Sequence, residues 1–379
     1  MKFTINRNSF IRSFNDVLRA IPAKTTIPSL TGVKLDLTND GLLLTGSNSD
    51  ISIETFMSSS DEDLDLQIES VGSVVLTARF FGEVVKRLPE ETFTLEVRDD
   101  YQTRLTSGKS EFTVIGTDAN EYPRLPEVED QNELKIAAGI LRELINQTVL
   151  AVSDQETRPI LTGVNFSIDG NGLLAVATDS HRLAQRKLDL PDITSTYQMV
   201  IPGKSLQELG RMLADQAGDI SLKISDNQVL FSFGATKFYT RLLEGNYPDT
   251  ARLIPTDHNV QLQINAASLL AAIERAALLS HASRANVVRL VLAPEQNSAI
   301  LSGTSPDVGN VEEALPVDAL TGDELDISFN PDYMKDALRA FGPTEIDLNF
   351  TTNLRPFTLV PSEDGDHFVQ LITPVRTFN

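Results

Sequence analysis

One sequence pattern occurs three times along this chain of 379 residues, and it limits the possible folds more than any other feature. The copies of the pattern lie at residues 3–10, 134–141 and 262–269, separated by 131 and then 128 residues. Each copy predicts a short strand with alternating apolar residues, followed by a turn and an amphipathic helix. A period near 128 residues is too long for a solenoid repeat but suits a whole domain. The sequence therefore predicts one domain in triplicate, which favours a symmetric assembly over a single catalytic pocket.

The similarity of the copies extends beyond this first strand and helix. Residues 30–37 match residues 161–168, and the third copy continues with 286–292. Hairpin signals rich in Asn, Asp and Gly follow, and a second helix and further alternating strands recur in every copy. One copy therefore contains two helices and about eight strands. This order predicts an α+β fold in which two helices pack on antiparallel sheets in each of three repeated domains.

Proline-rich segments at residues 121–126 and 246–255 separate the copies. We place the domain boundaries there. The predicted domains are residues 1–126, 127–255 and 256–379. The acidic segment 58–65 is interpreted as a solvated loop rather than a binding element.

The residue composition excludes several kinds of site. The chain has no cysteine, which excludes disulfides, thiolate metal ligands and a cysteine nucleophile. Its four histidines, His181, His258, His281 and His367, are scattered without metal-ligand spacing. Although Asp179 could orient His181, no nucleophile or second base has a recognisable spacing. The sequence predicts no catalytic residues, no metal and no cofactor.

The sequence also lacks the signals of export and membrane insertion. Its first residues contain no apolar core of a signal peptide. No run approaches the roughly 20 apolar residues that are needed to cross a bilayer. We therefore expect a cytoplasmic protein.

The net charge of −21 argues against nucleic-acid binding if it is taken alone, because phosphate contacts need positive potential. The charges are nevertheless unevenly distributed. The predicted helices of the first two copies are residues 7–19, 79–88, 137–150 and 203–214. All six predicted helices together carry +5, so that the rest of the chain carries −26. This segregation favours helices that face a polyanion, while ordinary scatter of Lys and Arg on helices stays open as the alternative.

Four short motifs follow one another at a characteristic spacing. They are Met-Lys-Phe-Thr-Ile at the start, Thr-Asp-Ser-His-Arg-Leu-Ala at 178–184, Tyr-Pro-Asp at 247–249 and Pro-Val-Arg at 374–376. In this order they resemble the bacterial β sliding clamp family, the processivity subunits of DNA polymerase III, and the resemblance covers the whole chain. It implies a non-catalytic, head-to-tail homodimer whose six domains close into a ring around duplex DNA. Helices would line the hole, and their contacts to the phosphate backbone would not depend on sequence.

The resemblance also implies a pocket that binds linear peptides of the replicative polymerase, the clamp loader and repair proteins. Aliphatic walls with a few polar groups suit such peptides. The residues implied for its apolar subsite are Leu161, Thr178, His181, Arg182, Leu183, Pro248, Arg252 and Leu253. Those implied for the adjoining groove are Asn330, Tyr333, Leu354, Leu371, Pro374, Val375 and Arg376. DNA contacts are expected at Lys24, Arg79, Gln155 and Lys204.

Several positions depart from the better-known Gram-negative pattern of this family. Ser180 replaces a glycine, Leu253 a valine and Val375 a methionine. Ala285 stands where the groove has a phenylalanine, and the chain continues through residues 377–379. These departures leave the pocket in place but alter the peptide motif that it is expected to prefer.

Three classes of function remain when the residues are considered alone. The first is a DNA-encircling clamp that binds peptides, and the second is a three-domain scaffold that recruits proteins without enclosing DNA. The third, an enzyme with an inter-domain site, is disfavoured because no catalytic constellation is present. His181 and Tyr333 also fit structural roles, and Asn330 before Pro331 fits a helix N-cap whatever the function.

Overall fold

The computed structural model describes residues 1–125, 133–190, 196–282, 286–363, 365 and 367–377. The boundary predicted between residues 126 and 127 lies outside these residues. The same is true of Ala285 and of the last two residues, Phe378 and Asn379.

The six helices of the described chain occur two to a sequence copy, as the repeat predicts. They are α1 (Arg7–Leu18), α2 (Ala78–Lys86), α3 (Ala138–Thr148), α4 (Gly203–Met212), α5 (Ala266–Ala282) and α6 (Pro331–Phe341). The bounds predicted for the first four differ from these by at most two residues at either end. Within the described ranges, no helix is long and apolar enough to span a membrane.

The described strands also repeat from copy to copy. In the first copy they are β1 (Lys2–Asn6), β2 (Gly32–Leu37), β3 (Gly41–Ser47), β4 (Ile51–Ser58), β5 (Gln67–Ser70), β6 (Gly72–Thr77), β7 (Thr92–Val97), β8 (Gln102–Ser107) and β9 (Ser110–Thr117). In the second they are β10 (Glu133–Ala137), β11 (Gly163–Asp169), β12 (Gly172–Thr178), β13 (Arg182–Leu188), β14 (Tyr197–Pro202), β15 (Asp219–Ile224), β16 (Gln228–Phe233) and β17 (Thr236–Arg241). In the third they are β18 (Val260–Asn265), β19 (Val288–Ala293), β20 (Ser298–Ser305), β21 (Gly309–Ala314), β22 (Ala319–Gly322), β23 (Leu325–Phe329), β24 (Glu345–Phe350), β25 (Phe357–Pro361) and β26 (Phe368–Ile372).

The chain divides into two compact units. The first is Met1–Leu141 with Glu208–Leu242, and the second is Arg142–Gln207 with Leu243–Asn379. The first unit contains a sheet with the strand order β10-β15-β16-β17-β4-β3-β2-β6-β9-β8-β7-β1-β5. The second contains the sheets β14-β11-β12-β13-β26-β25-β24-β18-β22 and β21-β20-β19-β23. The second sequence copy therefore contributes strands to both units.

Phenylalanines pack the two helices of the first copy on their sheet. Phe10 and Phe14 of α1 stack with ring centroids 5.8 Å apart, and Phe81 of α2 contacts both of them edge-on. Phe93 of β7 contacts Phe10 edge-on at 5.3 Å. All four side chains are buried. Aromatic pairs of this kind add about 0.5–1.5 kcal/mol each beyond the burial of apolar area, so the cluster holds both helices on the sheet.

The third copy has the same arrangement with aliphatic side chains. Leu269 and Ile273 of α5 share one buried core with Met334 and Leu338 of α6, and Phe350 of β24 belongs to the same core. Helical spacing places each pair on one face of its helix. The amphipathic pattern that predicts these helices thus also selects the face that is buried.

Two strand pairs join successive sequence copies and place the candidate site. In the first unit, β4 of copy 1 pairs with β17 of copy 2, with Ile53 opposite Phe238. In the second unit, β13 of copy 2 pairs with β26 of copy 3, with Ala184 opposite Gln370. The two pairs have the same register, because the facing residues hold equivalent positions in their copies.

The acidic segment 58–65 is a surface loop that contains the short 3-10 turn Glu62–Leu64. Its acidic side chains are exposed, and only Leu64 is buried. The hydroxyl of Ser9 on α1 donates to the carbonyl oxygen of Asp63 at 2.9 Å. This geometry agrees with the solvated loop that the sequence predicts.

Candidate functional site

A tight turn between β12 and β13 forms the centre of the candidate site. The Oδ1 atom of Asp179 accepts the backbone N–H groups of His181 and Arg182 at 2.8 and 3.0 Å. The hydroxyl of Thr178 accepts the N–H of Ser180 and donates to the carbonyl oxygen of Arg182. Ser180 has a φ of 81°, a left-handed conformation that glycine adopts at little cost and other residues rarely adopt. Short side chains that bond their own backbone therefore fix the turn.

Tyr247 anchors a second segment to this turn. Its hydroxyl accepts the backbone N–H of Thr178 at 3.0 Å. Burial raises the pKa of Tyr247 to about 12, although the Thr178 N–H opposes that rise. The neutral phenol thus holds the segment that continues into Pro248 beside the start of β13.

Arg182 connects the turn to helix α6. Its guanidinium pairs with Asp179 at 3.0 Å and with Asp336 at 2.6 Å, while only 14% of its side chain is exposed. It also lies over the Tyr333 ring, 4.7 Å from the centroid. The His181 ring also stacks on Tyr333, with the two ring centroids 6.3 Å apart. Two carboxylates neutralise Arg182, and the cation–π contact orients Tyr333.

An apolar floor lies beside the turn. Leu183 and Leu371 face each other across β13 and β26, and Val176 joins them in one buried cluster. Leu174 and Ile254 pack against this cluster and are partly buried. Alternation along β13 therefore places Leu183 in the floor and its neighbour Arg182 in the polar wall.

The last residues of the described chain continue along the turn. The N–H and hydroxyl of Thr373 both donate to the carbonyl oxygen of His181, at 2.9 and 2.7 Å. The N–H of Val375 donates to the carbonyl oxygen of Ser328 at 2.7 Å. These bonds hold Pro374 between two fixed points and leave Val375 36% exposed.

The structure thus brings together about half of the residues that the resemblance assigns to the pocket. The residues joined by these contacts are Thr178, His181, Arg182, Leu183, Tyr333, Leu371, Pro374 and Val375. The others lie in the same unit but outside the packed cluster. Leu161 is buried in a 3-10 turn, and the Asn330 side chain caps α6 by accepting the N–H of Asp332. The remaining five, Pro248, Arg252, Leu253, Leu354 and Arg376, are exposed, and Arg252 pairs with Asp249 at 3.3 Å.

Three contributors were not predicted as site residues. Asp179 was considered only as an orienting carboxylate for His181, but it accepts backbone N–H groups and pairs with Arg182. The sequence signal for this role is an Asp at the start of a turn, whose side chain accepts the backbone N–H two residues further on. Tyr247 and Asp336 reach the site from 69 and 154 residues away, a distance over which local patterns carry no information.

The four residues expected to contact DNA are all exposed. Lys24 follows α1, Arg79 lies in the first turn of α2, Gln155 follows α3 and Lys204 lies in the first turn of α4. None of these side chains makes an ion pair with a residue that the structure describes. They are therefore available to an anion.

Two arginines of the predicted helices are held in ion pairs whose glutamates are already part of the helix charge count. Arg19 pairs with Glu208 at 3.4 Å, and Arg87 pairs with Glu83 on the same helix.

The described residues contain no group of three or more His, Cys, Asp or Glu that could hold a metal ion.

Asp332 secures the start of α6, next to Tyr333. Its carboxylate accepts hydrogen bonds from His281, Asn286 and Lys335 at 3.0, 2.7 and 2.7 Å. Burial by itself raises the pKa of Asp332, but these bonds and the charge of Lys335 outweigh it and lower the pKa to about 2. Its position in the first helical turn adds a favourable interaction with the helix dipole.

Comparisons with known proteins agree along the whole chain. Residues 1–126, 135–249 and 251–376 match the models of the N-terminal, central and C-terminal domains of the DNA polymerase III beta subunit. The chain is 48% identical to the beta sliding clamp of Bacillus subtilis over 381 residues, with all of both chains covered. It is 45% identical to that of Streptococcus pneumoniae over 376 residues, with 99% of each covered. The crystal structure of the Bacillus subtilis sliding clamp superposes with a TM-score of 0.96 over the full length of both chains.

The Asp332 network predicts how stability depends on pH. The pKa of about 2 in the folded chain is below the ordinary value of 3.8, so the network stabilises the fold above pH 4. We expect Asp332→Asn to lower the free energy of unfolding at pH 7 by about 1 kcal/mol, given solvent screening of this half-exposed group. The difference from the unmodified chain should shrink as the pH falls from 4 to 2. Urea unfolding at both pH values measures it, and a constant difference would contradict this account.

Proposed function

This chain belongs to the bacterial DNA polymerase III beta-subunit family, and we propose that it is a DNA sliding clamp. In this role it encircles duplex DNA without sequence specificity and tethers the replicative polymerase, which makes synthesis processive. The observation that carries the proposal is the threefold repeat with one strand register at both junctions. It acts as a non-catalytic subunit and works in the cytoplasm, where the bacterial chromosome is replicated.

Ring closure requires a third junction of the same kind, formed with a second copy of the chain. The strand β21 lies at the edge of its sheet, and β9 pairs with β6 only through Gly116 and Thr117. In the third copy, Val311 corresponds to Ile53 of β4. The register of the first two junctions therefore pairs Val311 of one protomer with the partner's Phe112.

The exposed apolar residues at these edges support such a junction. Phe112 and Ile115 on β9 are 41% and 79% exposed, and Val308 before β21 is 65% exposed. The common register also sets Val308 opposite the partner's Ile115, the position that Asp50 and Arg241 hold at the first junction. Pairing would cover these side chains and two unpaired strand edges together.

The exposed cations on the helices of copies one and two support a channel for DNA. Arg12, Arg79 and Lys204 are exposed and make no ion pair with a described residue. Together with Lys24 and Gln155, they contact the phosphate backbone, which carries no sequence information. The acidic remainder of the chain repels DNA from the outer surface.

The pocket around Leu183 captures linear peptides of the polymerase, the clamp loader and repair proteins. The apolar floor receives an aliphatic or aromatic anchor, and the turn and Tyr333 supply polar groups that fix the peptide backbone. Its proposed residues are Leu161, Thr178, His181, Arg182, Leu183, Pro248, Arg252, Leu253, Asn330, Tyr333, Leu354, Leu371, Pro374, Val375 and Arg376. The domain boundaries at residues 126 and 255 also stay part of this proposal.

A designed disulfide tests the third junction. The chain has no cysteine, so Val308→Cys combined with Ile115→Cys can form only designed bonds. Facing strand residues have Cα atoms about 4.5–5.5 Å apart, within the range that a disulfide spans. We expect mild oxidation to convert the double variant to a covalent dimer on a non-reducing gel.

Two controls define the register. Each single variant should remain a monomer on the gel. The pair Val311→Cys with Ile115→Cys is three residues out of register, about 10 Å along the strand, and should not cross-link. Equal cross-linking of both double variants, or none, would reject the predicted pairing.

DNA topology tests encirclement. We expect the clamp, once loaded by its clamp loader on a nicked circular plasmid, to co-elute with the DNA in gel filtration. Cutting the circle once should release it, because the ring slides off the ends. Blocking both ends with a bound protein should restore retention. Retention that is equal on circular and open linear DNA would favour the scaffold alternative.

Substitutions at the pocket test peptide capture. We expect Leu183→Ala and Arg252→Ala each to weaken binding of a labelled polymerase peptide about tenfold, or about 1.4 kcal/mol. Fluorescence anisotropy measures the affinity, and gel filtration verifies the dimer. Leu222→Ala is the matched control, since it truncates a buried strand leucine in the other unit. Unchanged affinity in both pocket variants would show that the pocket is misplaced.

A further inference from the structure

A second cavity, of about 280 Å³, lies within the first unit at the junction of β4 and β17. Its lining includes Leu30, the turn residues 47–50, and Tyr239 and Arg241 of β17. No residue of this cavity belongs to the pocket around Leu183. The strand pairs that flank the two cavities nevertheless have the same register, so the cavities can be compared residue by residue.

The turn at this cavity has the same hydrogen bonds as the turn at Asp179. The Oδ1 atom of Asn48 accepts the N–H groups of Asp50 and Ile51 at 2.7 and 2.8 Å. Asp179 accepts the two equivalent N–H groups of its own turn. In both turns, therefore, one side-chain oxygen that accepts two backbone N–H groups fixes the backbone.

At both junctions, the end of the paired strand, β17 or β26, is hydrogen-bonded to the turn in the same way. The N–H of Arg241 donates to the carbonyl oxygen of Asp50 at 3.0 Å, and that of Thr373 donates to the carbonyl oxygen of His181 at 2.9 Å. Tyr122, which precedes Pro123 as Tyr247 precedes Pro248, is buried in one cluster with Leu30 of the second cavity. Two cavities therefore share one backbone frame.

Their side chains differ in polarity. The apolar Leu183 is replaced by Ser52, whose hydroxyl lies 2.6 Å from that of Ser47. Leu371 is replaced by Tyr239, whose hydroxyl donates to Glu54 at 3.0 Å. The floor of the second cavity is therefore lined by hydroxyl groups instead of leucines.

The cavity carries an excess of positive charge. Arg124 and Arg241 both line it, and neither makes an ion pair with a described residue. Asp50 supplies a single carboxylate against these two guanidinium groups. In a chain with a net charge of −21, two unpaired arginines in one cavity favour an anionic ligand, and guanidinium groups match carboxylates well.

Apolar side chains border the same cavity. Ile27 is 47% exposed, and Leu30, Pro123 and Leu125 lie with it in the lining. An aliphatic group could cover Ile27 while a neighbouring carboxylate reaches the arginines. These two requirements are met together by a peptide with alternating acidic and aliphatic residues.

We propose that this cavity is a second peptide site, which binds an extended segment with a leucine-like residue beside Asp or Glu. This inference rests on the proposed peptide role of the pocket around Leu183, because the two sites share their turn and their strand register. The second site does not depend on ring closure, and it differs from the first in requiring a carboxylate.

The probe is the synthetic peptide acetyl-Trp-Gly-Asp-Leu-Asp-Leu-amide. Because the chain has no tryptophan, the fluorescence of the peptide reports binding directly. The full chain carries Leu183→Ala to weaken the first pocket, and the second site is then read as the part of the binding that depends on the cavity arginines. We expect Arg124→Gln with Arg241→Gln to raise the Kd at least tenfold, or about 1.4 kcal/mol. Lys109→Gln, an exposed cation on the hairpin between β8 and β9, is the matched control and should leave the Kd unchanged.

A second peptide with Asn in place of Asp completes the test. It should bind weakly to the unmodified cavity and with the same Kd to the chain that carries Arg124→Gln and Arg241→Gln. Thermal melts verify that all variants fold. No binding of the acidic peptide in the Leu183→Ala chain, or equal binding with and without the arginines, would overturn the second site. Neither result would affect the pocket around Leu183, which its own polymerase peptide tests.

Discussion

Backbone pairing between strand edges of successive copies is the interaction on which the rest of this molecule depends. At each junction, β4–β17 and β13–β26, the strand after the first hairpin of one copy pairs with the last strand of the next copy. The equivalent strands of the remaining two edges are β21 and β9. Three copies in one chain form two such junctions, which leaves one edge on β9 and one on β21. Unpaired edges expose a row of N–H and C=O groups that attract other strands. Because the two leftover edges are complementary, one to β4 or β13 and one to β17 or β26, a second copy of the chain can pair with both.

The pockets are consequences of the same pairing. At each junction the chain turns immediately before the paired strand, and a backbone bond across the junction holds that turn, as between Thr373 and His181 or between Arg241 and Asp50. These bonds do not involve the side chains that line the cavities. The frame can therefore be kept while the lining changes from Leu183 and Leu371 to Ser52 and Tyr239.

The parts that sequence predicts well are those set by local physics. Helix bounds follow from amphipathic spacing and from caps such as Asn6 and Asn330, whose side chains accept N–H groups in the first turn. The pairing of Arg182 with Asp336, 154 residues away, has no such local signal, and neither has the bond from Thr178 to Tyr247. Asp179 was not predicted as a site residue, because its bonds to two backbone N–H groups and to Arg182 are set by the turn geometry. The resemblance supplied the remaining pocket residues, which no periodicity identifies.

The ion pairs of the helices bear on how such a ring can stay on DNA. The net charge of +5 on the helices is small, and it already includes the glutamates that pair with Arg19 and Arg87. Affinity for duplex DNA falls with salt by a logarithmic slope of about 0.9 for each phosphate neutralised, and a few contacts give weak, salt-sensitive binding. Weak contacts permit sliding but cannot by themselves retain the ring. In the ring that we propose, residence on DNA is then set by the strand pairing that closes it, which salt weakens far less because it rests on backbone hydrogen bonds and apolar side chains.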